Sequence, residues 1–176
     1  TKKMDPSKTV PQEKVDAIIE AIRMSPTSSG TQPFEVFVVT NPDVRSKIAE
    51  AAGGQAQITD GSHTLVFAAW DNYTAERIDE VVGLNVAARG DLPMLRAYYD
   101  NLKSSYVPRD AEVNYAHAAR QAYIALGIAL VAAAEHHISA GADAVLKRWF
   151  VRQAGFCRVE QGSAADIVDR DHAVLT

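Results

Sequence analysis

The sequence predicts one mixed domain of helices and strands. Two short runs rich in Val and Phe, each bounded by turn residues, fall in the first 70 residues. Helical spacing of apolar residues surrounds them. From Tyr73 to His137 the pattern is almost continuously helical. The 176 residues suffice for a single core.

The first helix is expected over 11–24, "PQEKVDAIIEAIRM". Val15, Ile18, Ile19 and Ile22 form one stripe, and Pro11 suits the first helical position. Ser25-Pro26 ends it, because a residue before proline disfavours the helical region. "FEVFVVT", 34–40, reads as a strand. Asn41-Pro42-Asp43 then caps a second helix that stops at Gly53-Gly54. Residues 53–63 read as a glycine-containing loop, and 62–70, "SHTLVFAAW", as a second strand. Helices are expected at about 73–88, 91–105 and 110–137, with Pro108 before the last. That last helix is rich in alanine, which permits close packing at the centre or at a subunit interface. Its apolar run Ala122–Ala134 is short for a membrane span and reads as a buried helix. Residues 138–176 show no sustained period, and 138–176 is an atypical C-terminal segment of the one domain.

A net charge of −4 gives no reason to expect nucleic acid or an anionic membrane as partner. The one cysteine, Cys157, rules out an intrachain disulfide, and a reducing cytoplasm is the expected compartment. The opening "TKKMDPSK" is charged and lacks the apolar core of a signal peptide. No Cys/His set has metal spacing, and the chain has no Walker A, G-x-G-x-x-G, G-x-S-x-G or H-E-x-x-H motif. Any redox chemistry would therefore belong to a cofactor.

The polar stretch between the first helix and the first strand draws the most interest. Thr27, Ser28, Ser29 and Thr31 offer hydroxyls, Gly30 allows close approach, and Gln32 adds an amide. Such a set suits a polar heterocycle or a phosphate; on residue chemistry alone an ordinary helix-to-strand turn is the commoner reading. Gln55 and Gln57 could reach a ligand from the second loop, and Lys2 or Lys3 could serve an anion. His63 reads as a hydrogen-bonded structural residue, and His117 as packed or exposed. His136-His137 suit the negative end of the long helix. The tyrosines at 98, 99, 106 and 115 read as core or interface.

In order and spacing, these segments resemble the nitroreductase family of flavoproteins over about residues 1–137. The similarity runs through "TKKMDPSK", the P-[ST]-S-x-x-x-Q-P element at Pro26–Pro33, the D-x-S-H-x-x-V-F element at Asp60–Phe67, and "PRDAEVNYAHAARQAYIALGIALVAAAE". The resemblance implies an α+β fold with a central, mainly antiparallel sheet surrounded by helices, in an intertwined homodimer. It implies FMN at the dimer interface, NAD(P)H as electron donor, and nitroaromatics, quinones or similar small molecules as acceptors. It also implies that the loop holding Pro26, Thr27, Ser28, Gly30 and Gln32 reaches FMN across the interface, with Gln32 holding the loop rather than touching the ring. Lys2 corresponds to a lysine near the flavin pyrimidine, where a cation would stabilise charge on the reduced ring. No side chain is assigned as an essential acid or base.

Departures accompany the resemblance. The family's leading phosphate-binding arginine would precede Thr1. A flavin-binding asparagine has Gly54 in its place, with Gln55 beside it as a substitute. The family's proline, acid and glycine after the long helix correspond here to Leu146, Arg148 and Trp149, and tryptophan at a glycine position would obstruct close backbone approach. The leading expectation is an FMN-dependent oxidoreductase. The alternatives are a non-catalytic protein of the same fold with altered or lost flavin binding, and a structural helical protein whose long helix only mediates assembly.

Overall fold

The computed structural model describes residues 3–141. The elements run α1 (Gln12–Arg23), a 3-10 turn (Ser28–Gly30), β1 (Phe34–Val39), α2 (Pro42–Ala51) and α3 (Ala56–Asp60). They continue with β2 (Thr64–Ala69), α4 (Ala75–Arg89), α5 (Pro93–Tyr106) and α6 (Ala111–Glu135). Lys2, Cys157 and the segment from Asp143 to Phe150 lie outside the described residues.

β1 and β2 pair antiparallel, with Phe34 opposite Ala69 and Val39 opposite Thr64. Alternation along the strands sends side chains to two faces. Val36 and Phe67 point to a core shared with Ile18 and Ile22 of α1 and with the alanines of α6. Phe37, Val39, Val66 and Ala68 point the other way, to Ile48 and Ala49 of α2 and Ile58 of α3. The ribbon is therefore covered on both sides, which explains why both strands read as nearly continuous apolar runs.

α6 joins the larger core through Ala118, Ala122, Ala125, Ala129 and Ala133, all buried at helical spacing. The apolar run at 122–134 lies within this 25-residue helix, so the helix is long enough to cross a bilayer even though the run is short. Its placement in the core rests on the alanine face, which packs on α1 and β2.

Several expectations shift in detail. Pro11 takes the N-cap position of α1 rather than the first helical position. Asn41 caps α2 as expected, its Oδ1 accepting from Asp43 N at 2.9 Å and Val44 N at 3.2 Å. Residues 53–63 contain a helix rather than loop alone. α3 forms because Arg45 of α2 donates to the carbonyls of Ile58, Thr59 and Gly61, which the short helix leaves unsatisfied at its end. At the end of α6, His136 is the cap and His137 adopts φ 56°, while Lys14 Nζ donates to the His136 carbonyl at 2.8 Å. A cation from α1 thus serves the negative helix end where the histidine pair was expected to act.

Candidate functional site

The Pro26–Gln32 stretch leaves α1 and forms a tight turn. Ser29 has φ 60° and Gly30 φ 62°, both left-handed. Glycine accepts that conformation freely, and serine adopts it only when its surroundings hold it. Three contacts supply the hold. Gln121 of α6, 5% exposed, accepts the Ser28 N–H on its Oε1 at 2.8 Å. Gln32 Nε2 donates to the Arg23 carbonyl at 2.7 Å. Tyr99 Oη of α5 lies 3.5 Å from the Ser29 carbonyl as donor, and Asn85 Nδ2 of α4 donates to that hydroxyl at 3.3 Å.

The turn keeps open polar capacity. Ser25 Oγ and Thr27 Oγ1 are buried without a hydrogen-bond partner. Such orphans are costly in a folded chain. Pro26, Ser28 and Gly30 are exposed beside them. A Cβ on Gly30 would meet nothing closer than Tyr99 Oη at 4.0 Å. A polar, planar ligand such as a flavin is compatible with this arrangement: hydroxyls without partners, and backbone open to approach.

Behind the turn lies a hydrogen-bonded support. Tyr73, 1% exposed, shares a 2.9 Å hydrogen bond with His117 Nδ1. Burial pushes the Tyr73 phenol up to about 12, against a hydrogen bond from Thr31 that lowers it. The phenol therefore stays protonated near neutrality, and its hydroxyl shares one hydrogen bond with His117 Nδ1. Burial, then the charges of Arg109 and Arg120, hold His117 below its ordinary value, which favours the neutral ring. Tyr106 packs edge-on against Tyr73, and the His117 ring packs on it at a tilt. Sequence reasoning missed Gln121, Asn114 and Asn72. Asn114 is fully buried, accepts from Arg109 Nε at 2.6 Å, and donates to Asn72 Oδ1 at 2.6 Å and to the Tyr106 carbonyl at 2.9 Å. The available signal was a polar side chain interrupting the apolar face of a long helix.

Gln55 is not beside the turn. It is the N-cap of α3 and borders an apolar cavity of about 200 Å³ with Met4, His63, Val15 and Ala133. Gly30, Thr31 and Gln32 instead border a groove of about 790 Å³ with Trp70, Arg77 and Asn85. Met4, close to Lys2 in sequence, belongs on the Gln55 side. Ser62 fixes that side: its hydroxyl accepts from Val10 N at 3.1 Å, and it lies 2.9 Å from His63 Nδ1. Burial and then Arg45 keep His63 below its ordinary value, in keeping with the structural role expected of it. Gly53 and Gly54, at φ 75° and 76°, leave the backbone beside Gln55 open, with nothing within 4 Å of either added Cβ.

A nitroreductase family profile matches residues 1–147. The chain belongs to the nitroreductase family. The match extends ten residues past the 137 expected from the sequence. The Major NAD(P)H-flavin oxidoreductase of Aliivibrio fischeri is 32% identical over 139 residues, covering 74% of this chain and 63% of that protein. A Staphylococcus epidermidis relative, provisionally named an NAD(P)H nitroreductase, is also 32% identical over 139 residues, covering 76% and 63%. The chain thus spans less than two thirds of the length of these curated relatives. The fold agrees with a nitroreductase family protein from Streptococcus pneumoniae, with a TM-score of 0.66 at 20% identity, covering 76% of this chain and 66% of that one. It agrees equally with an Exiguobacterium sibiricum structure solved in complex with FMN, at TM-score 0.65 and 16% identity, covering 77% and 65%. The nitroreductase-like fold is helix-rich with a small antiparallel sheet.

Proposed function

We propose that this nitroreductase-family chain is an FMN-dependent NAD(P)H oxidoreductase acting as a homodimer. Nitroaromatics, quinones or similar small molecules are its acceptors in this reading. The observation that carries it is the geometry of the Pro26–Gln32 turn. It is held in a left-handed form, carries buried hydroxyls without partners, and opens on a different side of the fold from Gln55. Two protomers would bring the turn of one to the Gln55 side of the other. The outer face of α6 supports a second copy, since Ile124 and Val131 are exposed apolar residues about two turns apart. The flavin-linked name of the Aliivibrio fischeri relative supports the cofactor.

When bound, FMN supplies the electron chemistry, taking reducing equivalents from NAD(P)H and passing them to the acceptor. The residues of this chain bind and orient it. Thr27, Ser28 and Gly30 contribute polar groups and close backbone approach. Gln32 shapes the turn through Arg23 and does not need to touch the ring. Gln55 and Lys2 would serve the polar edge of the flavin from the other protomer, and a single cysteine suits a reducing cytoplasm.

The test is an absorption spectrum of the purified chain before and after addition of FMN and desalting, followed by NAD(P)H oxidation with a quinone or nitroaromatic acceptor. A retained flavin band and acceptor-dependent turnover are expected. A colourless protein that oxidises no NAD(P)H with any such acceptor refutes the reading.

A further inference from the structure

We propose that Gln121, assisted by Tyr99, is a positioning residue that sets the flavin-binding form of the 28–30 turn. The inference rests on the flavin reading above. It starts from the conformation itself. Ser29 is not glycine, yet it sits at φ 60°, next to Gly30 at φ 62°. A left-handed serine persists only where surrounding contacts over-determine it.

Gln121 provides the contact that reaches the turn from the long helix α6. Its Oε1 accepts the Ser28 N–H at 2.8 Å across 93 positions of sequence, from a side chain 5% exposed. The carboxamide cannot rotate away without burying an unpaired donor, because its Nε2 faces the His117 carbonyl at 3.4 Å. α6 is held rigidly by its alanine face, so Gln121 references the turn to the core. Tyr99 holds the next carbonyl from α5 and is itself fixed by Asn85. The Ser28 N–H is therefore committed internally. What the turn presents to a ligand is the set left over at its surface: the exposed Ser28 side chain and the open backbone at Gly30. Gln121 touches none of these groups and acts through the turn.

The test titrates the chain with FMN, following quenching of flavin fluorescence, and measures amide exchange of the 26–32 segment by mass spectrometry. Gln121→Met keeps the length of the side chain and removes the acceptor. It is expected to raise the FMN dissociation constant about tenfold and to speed exchange at 26–32. Gln121→Glu restores an acceptor for Ser28 N–H and is expected to recover most of the affinity, a rescue that general loss of packing would not show. Tyr99→Phe leaves the ring in place and is expected to weaken FMN about threefold; it decides the matter if Gln121→Met does not fold. Wild-type binding with unchanged dissociation constants and exchange in the variants overturns this inference and leaves the flavin reading standing. Failure of the wild type to bind FMN overturns both.

Discussion

Truncating Asn114 to alanine removes the polar centre that ties the start of α6 to the segment after β2. Asn114 itself is fully buried, and its partners Asn72, Tyr106 and Arg109 are half-buried. Asn114 Oδ1 accepts from the charged Arg109 Nε at 2.6 Å, and Nδ2 donates to Asn72 Oδ1 at 2.6 Å and the Tyr106 carbonyl at 2.9 Å. A hydrogen bond to a charged group contributes about 1.5–3 kcal/mol, and each stranded neutral group costs about 1–3 kcal/mol. Asn72 Oδ1 keeps its bond from Tyr73 N at 2.8 Å, so its loss lies at the low end. Arg109 is less fortunate. Its Nη2 is already buried without a partner, and its guanidinium would retain mainly the Tyr106 ring 4.3 Å away. The sum is about 3–5 kcal/mol, a large part of the roughly 5–15 kcal/mol that holds an ordinary domain folded. In urea, with a slope of about 2 kcal/mol per molar, the midpoint should fall by about 2 M at constant slope. Asn72→Ala should cost less, about 1–2 kcal/mol, and the double variant should fall short of additivity by roughly 1 kcal/mol, because the two side chains share one bond. A loss below about 1 kcal/mol in Asn114→Ala, or strict additivity, would show that the network is not what anchors α6.

Three further outcomes follow from the same geometry. Folded His63 and His117 titrate below the 6.5 of free imidazole, so the unfolded chain binds more protons just below that pH. The stability they contribute is full above pH 6.5 and is lost as pH falls through the folded values; melting temperature should be level above 6.5 and decline below it. His117→Asn, which keeps a hydrogen-bonding side chain facing Tyr73, should make that decline shallower, and an unchanged slope counts against the assignment. Gly54→Asn places a carboxamide in open space at φ 76°, a conformation asparagine tolerates, and should tighten FMN about threefold while costing about 0.5 kcal/mol of stability. Equal or weaker FMN binding in a folded Gly54→Asn would separate this position from the flavin. Val131→Lys, at a position 64% exposed, should convert a dimer to monomer in light scattering and lower flavin retention; a persistent dimer would remove the outer face of α6 from the interface.

The sequence by itself determined the helix and strand order, because the signals are local. Spaced apolar residues make α1, Asn41-Pro42-Asp43 starts α2, and Val/Phe-rich runs bounded by turns make β1 and β2. The family was also legible, since it depends on ordered segments rather than on contacts. α3 was not legible. It has five residues and relies on Arg45, a side chain from another helix, to satisfy its last carbonyls. Gln121 and Asn114 on α6 and Asn72 in the segment after β2 were hidden, because a polar residue becomes a clamp only when a group distant in sequence is brought within hydrogen-bond reach. The polar turn was visible as a group of hydroxyls, and two readings of it were open. Only the tertiary structure decided which polar groups were already spent on the fold, with Ser28 N–H held by Gln121, and which, such as Thr27 Oγ1, were left without a partner. Composition counts donors and acceptors; packing determines which of them remain free.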